Sequence, residues 1–175
     1  PEAVRWVGQR VGVQVEDRRD REDDPYAHLR SAVAFAEEWF ADRLADEEGG
    51  ADARAYLDGR GLAQEAARDY ALGFAPDGWR GLREAAHAHG IEDETLLEAG
   101  LLATSERADE PYDRFRNRLI FSIRDLRGRP VGFGGRDLSG EEDVPKYINS
   151  PDSPIFTKGR TLYALNWARH ALRKQ

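Results

Sequence analysis

The hydrophobic periodicity of this chain changes near residue 110, and that change constrains the fold more than any other feature. In residues 1–110, apolar side chains recur every three or four positions between glycines and prolines, which predicts a series of amphipathic helices. In residues 118–124 they recur every second position, which is the period of a strand. We therefore predict an α+β fold. A mainly helical part, residues 1–110, precedes a small antiparallel sheet and a closing helix in residues 111–175, and the two parts form one unit.

The same patterns and their flanking residues predict the individual elements. Helices are predicted over residues 1–10, 25–46, 52–58, 63–70, 80–89, 92–99 and 159–172. The longest begins after Asp24, a candidate N-cap, and ends before Gly49 and Gly50. Residues 72–79 are rich in glycine and proline and are predicted to form an irregular connection. Strands are predicted over residues 118–124, 130–133 and 145–149, and the first two form a β-hairpin.

The composition excludes several function classes. The 175 residues include no cysteine and four histidines, which excludes disulfides, a thiol nucleophile and a cysteine zinc site. His87 and His89 lie two apart in a predicted helix and point to different faces, so no metal site is predicted. No arrangement of Ser, His and Asp supports nucleophilic catalysis, so no catalytic residue is assigned. No apolar run approaches the ~20 residues of a membrane span and no signal peptide opens the chain, so we expect a soluble cytoplasmic protein.

The formal net charge of -7 is an average over two unlike parts. Residues 1–110 contain 13 arginines and no lysine against 26 acidic residues, a net charge of -13. Residues 111–175 contain 13 lysines and arginines against 7 acidic residues, a net charge of +6. Such asymmetry indicates either an anionic partner for the basic part or a solvated charged surface.

The basic part contains a cluster of cations suited to phosphate binding. Arg114, Arg116 and Arg118 stand two apart, so an extended segment would project all three from one face, with about 6.6 Å between neighbours. That spacing is of the order of the phosphate separation in an extended single strand. Further cations, with one aromatic ring and one amide, follow in Arg136, Lys146-Tyr147-Ile148-Asn149 and Lys158-Gly159-Arg160. Basic residues beside a stacking ring favour a surface for single-stranded nucleic acid.

The glycine-rich run of residues 131–136 has two interpretations. It is similar to a phosphate-binding loop, but its spacing fits neither the dinucleotide nor the Walker fingerprint. A strand whose small residues admit a close neighbour explains the run equally well.

Six short motifs occur along the chain in a fixed order. They are Arg60-Gly61-Leu62, Gly73-Phe74-Ala75-Pro76, Arg114-Phe115-Arg116-Asn117-Arg118-Leu119-Ile120-Phe121, Gly132-Phe133-Gly134-Gly135-Arg136, Pro145-Lys146-Tyr147-Ile148-Asn149-Ser150-Pro151 and Phe156-x-Lys158-Gly159. In sequence and in order, these motifs resemble the bacterial DnaG-type DNA primase family. The resemblance runs through most of the chain from about residue 52 onward.

The resemblance implies a primase at the bacterial replication fork, which copies single-stranded template DNA into a short RNA primer from ribonucleoside triphosphates and so holds an RNA–DNA hybrid. It implies that this chain is the N-terminal subdomain of the RNA polymerase core, without the zinc-binding and Toprim domains. The Toprim motifs Glu-Gly-Tyr-x-Asp and Asp-x-Asp, whose carboxylates hold Mg or Mn, are absent from the sequence. The family also implies zinc in its first domain and a replicative helicase that binds a C-terminal domain absent from this chain. We therefore expect this chain to bind no cofactor and to lack polymerising activity alone.

The basic groove of the family corresponds by matching motif to seven residues. They are Arg60, Arg114, Arg116, Lys146, Tyr147, Asn149 and Lys158, with Arg118, Arg136 and Arg160 as secondary candidates. We assign Arg114 and Arg116 to template phosphates, and Lys146 and Lys158 to phosphates near the metal centre. Tyr147 either stacks on a base or packs in the core. Asn149 either orients its loop or forms a hydrogen bond with the strand.

Three functions from different classes are open at this point. The first is part of a template-directed RNA polymerase. The second is a non-catalytic module that binds single-stranded nucleic acid. The third is a helical interaction domain whose acidic part docks a basic partner. The salt dependence of nucleic-acid binding separates the third from the other two.

Overall fold

The computed structural model describes residues 24–62, 64–161, 163, 164 and 168, so the helix predicted over residues 1–10 lies outside the described residues. The helices are α1 (Ala27–Ala45), α2 (Ala51–Asp58), α3 (Gln64–Asp69), α4 (Gly81–Ala88) and α5 (Asp93–Glu98). The strands are β1 (Leu72–Ala75), β2 (Leu102–Ala103), β3 (Tyr112–Asp113), β4 (Arg118–Arg124), β5 (Pro130–Asp137) and β6 (Tyr147–Asn149). The α+β class predicted from the change of period is confirmed. Among the helices described, none has the length and apolarity that crossing a bilayer requires.

The main sheet has four antiparallel strands in the order β1-β4-β5-β6, and β2 pairs with β3 separately. Strand β1 contradicts the prediction that residues 72–79 form an irregular connection. In the pairing register, Phe74 lies opposite Leu119 of β4. The mainly helical part of the chain therefore supplies one edge strand of the sheet.

Gly73 explains why β1 does not have the sequence pattern of a strand. A Cβ atom at this position would lie 2.5 Å from the Cβ atom of Phe40 and 2.8 Å from its carbonyl carbon. Because helix α1 sits directly on the strand backbone, only glycine fits there. The sequence pattern indicates that Gly73 interrupts secondary structure, but in the fold this glycine allows helix α1 to approach the strand closely.

Helix α1 packs on one side of the sheet, here called the α1 face. Its buried residues recur at helical spacing, as predicted: Leu29, Ala32, Val33, Ala36, Phe40 and Leu44. The ring of Phe40 meets those of Phe133 and Phe115 edge to face, at centroid distances of 5.3 and 6.2 Å. Edge-to-face packing of three rings makes this the centre of the larger core.

Helix α2 covers part of the opposite side of the sheet, here called the α2 face. Its Leu57 packs in a second core with Leu72, Phe74 and Leu119. This cover lies over β1 and β4. On β6, Tyr147 and Asn149 project from the same face and are exposed. The α2 face is therefore covered at one edge of the sheet and open to solvent at the other.

Several predicted boundaries differ from the structure. Helix α1 begins at Ala27, and the carboxylate of Asp24 accepts hydrogen bonds from the Tyr26 amide and the Arg30 guanidinium instead of capping the helix. Strand β5 runs to Asp137, four residues beyond its predicted end. Residues 158–160 form a 3-10 turn where the closing helix was predicted to start. Most of the remaining predicted helix, residues 161–172, lies outside the described residues.

Candidate nucleic-acid interface

A row of alternating guanidinium groups and tyrosine rings lies on the open part of the α2 face; we call it the Arg–Tyr row. The Arg60 Cζ atom lies 5.2 Å from the Tyr56 ring centroid. The Arg136 Cζ atom lies between two rings, 4.5 Å from Tyr56 and 5.8 Å from Tyr147. These distances are those of cation–π contacts. The row therefore joins Arg60, which is far away in sequence, to the sheet residues predicted to bind nucleic acid.

Two elements hold the Arg–Tyr row in place. Helix α2 carries Tyr56 and leads into Arg60, while Arg136 and Tyr147 are paired residues of β5 and β6. Paired residues of an antiparallel sheet project from the same face, so the row forms only when helix and sheet are both in place.

Tyr147 is 61% exposed, which contradicts the alternative that it packs in the core.

Asn149 lies beside the Arg–Tyr row on the same face. Its amide oxygen would be 3.1 Å from a Cβ atom at Gly134, its partner in the sheet register. The glycine thus leaves space for the amide group above the strand. This contact supports the interpretation of the glycine-rich run as close approach and gives no support to a phosphate loop.

A second cation–aromatic cluster surrounds Arg116, and we call it the Arg116 cluster. The Arg116 Cζ atom lies 4.1 Å from the Trp79 ring centroid and 5.0 Å from that of Tyr112. Its Nη1 atom donates to the backbone carbonyl of Asp113 at 2.5 Å. Trp79 is 59% exposed and presents an aromatic surface to solvent beside a guanidinium.

Asp113 links the Arg116 cluster to the body of the protein. Its carboxylate accepts hydrogen bonds from the backbone N–H groups of Leu82 and Arg83, at 2.8 and 3.0 Å, and so satisfies the first turn of α4. Burial raises the pKa of Asp113 in spite of these two bonds. The cluster is therefore attached to a fixed helix end.

The prediction that Arg114, Arg116 and Arg118 project from one face of an extended segment is wrong. Asn117 between them has a φ of 47°, in the left-handed region, which breaks the extended geometry. Arg114 is partly buried, with its Nε atom unpartnered among the described residues, and burial lowers its pKa. Arg118 is only 5% exposed. Of the three, Arg116 alone contacts aromatic rings in the part of the chain described, and one of them, Trp79, is exposed.

The remaining predicted cations are Lys146, Lys158 and Arg160, and the last two belong to one 3-10 turn. The side chains of Lys146 and Lys158 are exposed, and each residue is fixed through its backbone: the Lys146 carbonyl accepts from the Asp137 amide at 2.9 Å, and the Lys158 amide donates to the Asp152 carboxylate at 2.8 Å. Arg160 lines a cavity of about 330 Å³ at the β4–β5 turn. That turn is at the end of β4 remote from the Arg116 cluster.

A cavity of about 600 Å³ lies between α1, α2 and α3, outside both clusters. Its walls carry Glu37, Glu38, Glu47 and Asp58 beside arginines. This lining is less suited to phosphates than the Arg–Tyr row and the Arg116 cluster, which are therefore the better candidates for an interface.

Sequence reasoning missed Tyr56, Trp79 and Tyr112. Tyr56 lies in helix α2, Trp79 in the connection after β1 and Tyr112 in the two-residue strand β3. No sequence pattern sets them apart from other aromatic residues, and only their contacts with Arg60, Arg136 and Arg116 mark them. Of the three, only Trp79 lies close to a motif, three residues after Gly73-Phe74-Ala75-Pro76.

Over the described ranges, no group of three or more His, Asp or Glu side chains is arranged to hold a metal ion. The residues described do not fit the Mg, Mn or Zn that the family resemblance implies, and no chemical step is assigned to a metal here.

Cations stacked with aromatic rings on an open surface are typical of proteins that bind single-stranded nucleic acid. The family described as "DNA primase catalytic core, N-terminal domain" matches residues 39–169. The chain therefore belongs to the DNA primase family, as its motifs predicted.

Individual relatives agree with this assignment. The DNA primase of Pseudomonas putida is 41% identical over 97% of this chain and 26% of its own length. The DNA primase of Deinococcus radiodurans is 41% identical over 98% of this chain and 28% of its own length. The chain thus spans about a quarter of the length of these relatives.

Solved structures share the fold. The RNA polymerase domain of Mycobacterium tuberculosis primase DnaG, in complex with double-stranded DNA with a 6-nucleotide overhang, matches with a TM-score of 0.77 and 35% identity over 85% of this chain and 46% of that chain. A DnaG primase catalytic domain bound to ssDNA matches with a TM-score of 0.71 and 41% identity over 82% of this chain and 44% of that chain.

Proposed function

We propose that this chain is the template-holding part of a bacterial DNA primase that synthesises short RNA primers on single-stranded DNA. Family membership supports this proposal, as does the DnaG catalytic domain that was solved with ssDNA and is 41% identical to this chain. Ribonucleoside triphosphates and the RNA–DNA hybrid are the further ligands of the whole enzyme. A replicative helicase is its partner at the replication fork, in the bacterial cytoplasm.

The Arg–Tyr row is the observation that carries the proposal. Guanidinium groups bind phosphates with their paired donors, and tyrosine rings accept bases by stacking, so an alternating row fits a strand in which both alternate. Neither interaction depends strongly on base identity. A surface of this kind suits a template that must be copied whatever its sequence.

We assign the residues of the interface as follows. Arg60, Arg136 and Arg116 bind template phosphates, Tyr147 and Trp79 stack on bases, and Asn149 donates or accepts hydrogen bonds beside them. Lys146 binds a template phosphate beside Tyr147, and Lys158 binds phosphates on the nucleotide side, both as compact charges. Arg114, which is partly buried, and Arg160, which lies at the β4–β5 turn, contribute less.

Catalysis requires groups beyond those described. Two-metal nucleotidyl transfer needs carboxylates that hold the ions next to the attacking and leaving oxygens. We propose that a Toprim domain supplies those carboxylates and their Mg or Mn, and that this chain alone binds template without extending a primer. Primer synthesis by the 175-residue chain on a single-stranded template would contradict this division of labour.

Salt-dependent binding tests the proposal. Fluorescence anisotropy with a labelled oligo-dT gives the affinity at several salt concentrations, and about three or four phosphate contacts predict a slope of roughly -2 to -3 in log K against log salt. Lys146→Ala should weaken binding, whereas Arg107→Ala, an exposed arginine outside the interface, should not. A wild-type affinity that does not change with salt would refute the proposal.

A further inference from the structure

Arg118 is the most buried of the cations that sequence motifs place in the interface, at 5% exposure. Its Nη1 atom donates to the backbone carbonyl of Pro145 at 2.9 Å, and lies 3.4 Å from that of Gly135. Pro145 immediately precedes Lys146 and Tyr147. The guanidinium is therefore bound to the end of the loop that leads into the interface.

Asp137 fixes the same loop, residues 138–146, at its other end. Its carboxylate accepts hydrogen bonds from the Ser139 hydroxyl at 2.8 Å and the Gly140 amide at 3.1 Å. Its own amide donates to the Lys146 carbonyl at 2.9 Å. Burial alone would raise the pKa of Asp137, but these bonds and the nearby charge of Arg118 outweigh it, so the pKa is lowered and the carboxylate stays ionised.

Arg118 and Asp137 lie opposite each other in the register of β4 and β5. Between them they bind the backbone just after Asp137 and just before Lys146. A loop fixed at both ends by buried groups loses little further freedom when its side chains bind a ligand.

We propose that Arg118 is a positioning residue, not a phosphate ligand: with Asp137 it fixes loop 138–146 so that Lys146 and Tyr147 face the template. The inference rests on the proposed function of the interface. Burial supports it, because a phosphate would have to displace the Pro145 carbonyl from a guanidinium with almost no solvent contact. The stem of Arg118 is enclosed as well: its Cδ atom would be 3.0 Å from a Cβ atom at Gly135.

Hydrogen exchange tests the positioning without any ligand. Arg118→Met keeps the packed stem and removes the donors, and should make the amides of residues 138–147 exchange at least about tenfold faster, while those of α1 keep their protection. Lys158→Ala is the matched control and should leave the loop unchanged. If Arg118→Met is too unstable to study, Arg118→Lys keeps charge and stem but ends one bond short of the Nη1 position that donates to Pro145, so it should give a smaller change confined to the same loop. Unchanged exchange in the loop would overturn the inference.

Binding to oligo-dT then separates positioning from direct contact. If the loop of Arg118→Met holds its binding conformation about one tenth of the time, affinity falls about tenfold. This loss should nearly vanish when Lys146→Ala and Tyr147→Ala are already present, and should persist in a Lys158→Ala background. A phosphate ligand would give the full loss in both backgrounds, which would overturn the inference. Salt-independent binding by the wild type would instead refute the proposed function, and the exchange result would still stand.

Discussion

Replacing Arg136 tests the interface at the point where its contacts converge. Its guanidinium lies 4.5 Å from the Tyr56 ring and 5.8 Å from the Tyr147 ring, and its Nη1 atom donates to the Asp137 carbonyl at 3.0 Å. Arg136→Ala removes one phosphate-binding charge and two cation–π contacts. Each cation–π contact at an exposed site contributes about 0.5–1 kcal/mol. Without these two contacts, the Tyr56 and Tyr147 rings also lose part of what fixes their orientation.

The size of the effect follows from counterion release. Each phosphate contact to a single strand contributes about -0.7 to the slope of log K against log salt. With four contacts, affinity for oligo-dT falls about 50-fold between 50 and 200 mM salt, and with three it falls about 18-fold. Arg136→Ala should therefore bind more weakly at low salt and respond less steeply to added salt.

Arg136→Lys separates charge from shape in the same assay. A lysine keeps the positive charge, so the salt slope should return to the wild-type value, but it cannot stack its ammonium between two rings as a planar guanidinium does. Its affinity should therefore lie between those of wild type and alanine. Arg107→Ala serves as the exposed control. If Arg136→Ala and Arg107→Ala give the same slope, Arg136 does not contact the template and the reasoning fails.

Two further predictions concern stability. Gly73→Ala should lower the free energy of unfolding by about 1–3 kcal/mol, because its Cβ atom would meet backbone atoms of Phe40. The control is Gly78→Ala, which has open space around it and should be neutral in urea denaturation. Equal losses of stability in the two variants would contradict the close contact. The hydrogen bonds and charge of Arg83 lower the pKa of Asp93. The ionised carboxylate therefore stabilises the fold at pH values above its ordinary pKa of 3.8, and this stabilisation is lost as the pH falls through the lowered pKa. Asp93→Asn should cost about 1–2 kcal/mol at pH 7 in thermal denaturation, and this difference from wild type should shrink as the pH falls through the lowered pKa of Asp93. A constant difference at all pH values would refute the pairing.

Periodicity and turn residues predicted the longer elements. Helix α1 shows its buried residues at helical spacing, and the β4–β5 hairpin shows alternation and a turn, so both could be found from sequence. Strand β1 could not, because its four residues are all buried and one is a glycine required by the helix above it. Strand β4 is also covered on both faces, but its seven residues and the turn that follows it give a longer pattern than the four residues of β1.

The interface was predicted in part, and the reason is again physical. Tyr147 and Asn149 alternate in a strand beside a cation, which is visible locally. Arg60 was found only through the family resemblance, since nothing in its own segment distinguishes it. Arg118 was misplaced because the spacing rule assumes an extended chain, and the left-handed conformation of Asn117 turns the backbone just before the strand begins.

The pairing of β1 with β4 has a consequence for synthesis on the ribosome. The partner of β1 follows only after residues 76–117 have been added, which takes about 2 to 8 s at typical bacterial elongation rates. During that interval the nascent chain carries an unpaired strand and the apolar side of α1. The 26 acidic residues of 1–110 then keep like-charged nascent chains apart until β4 arrives and the sheet closes.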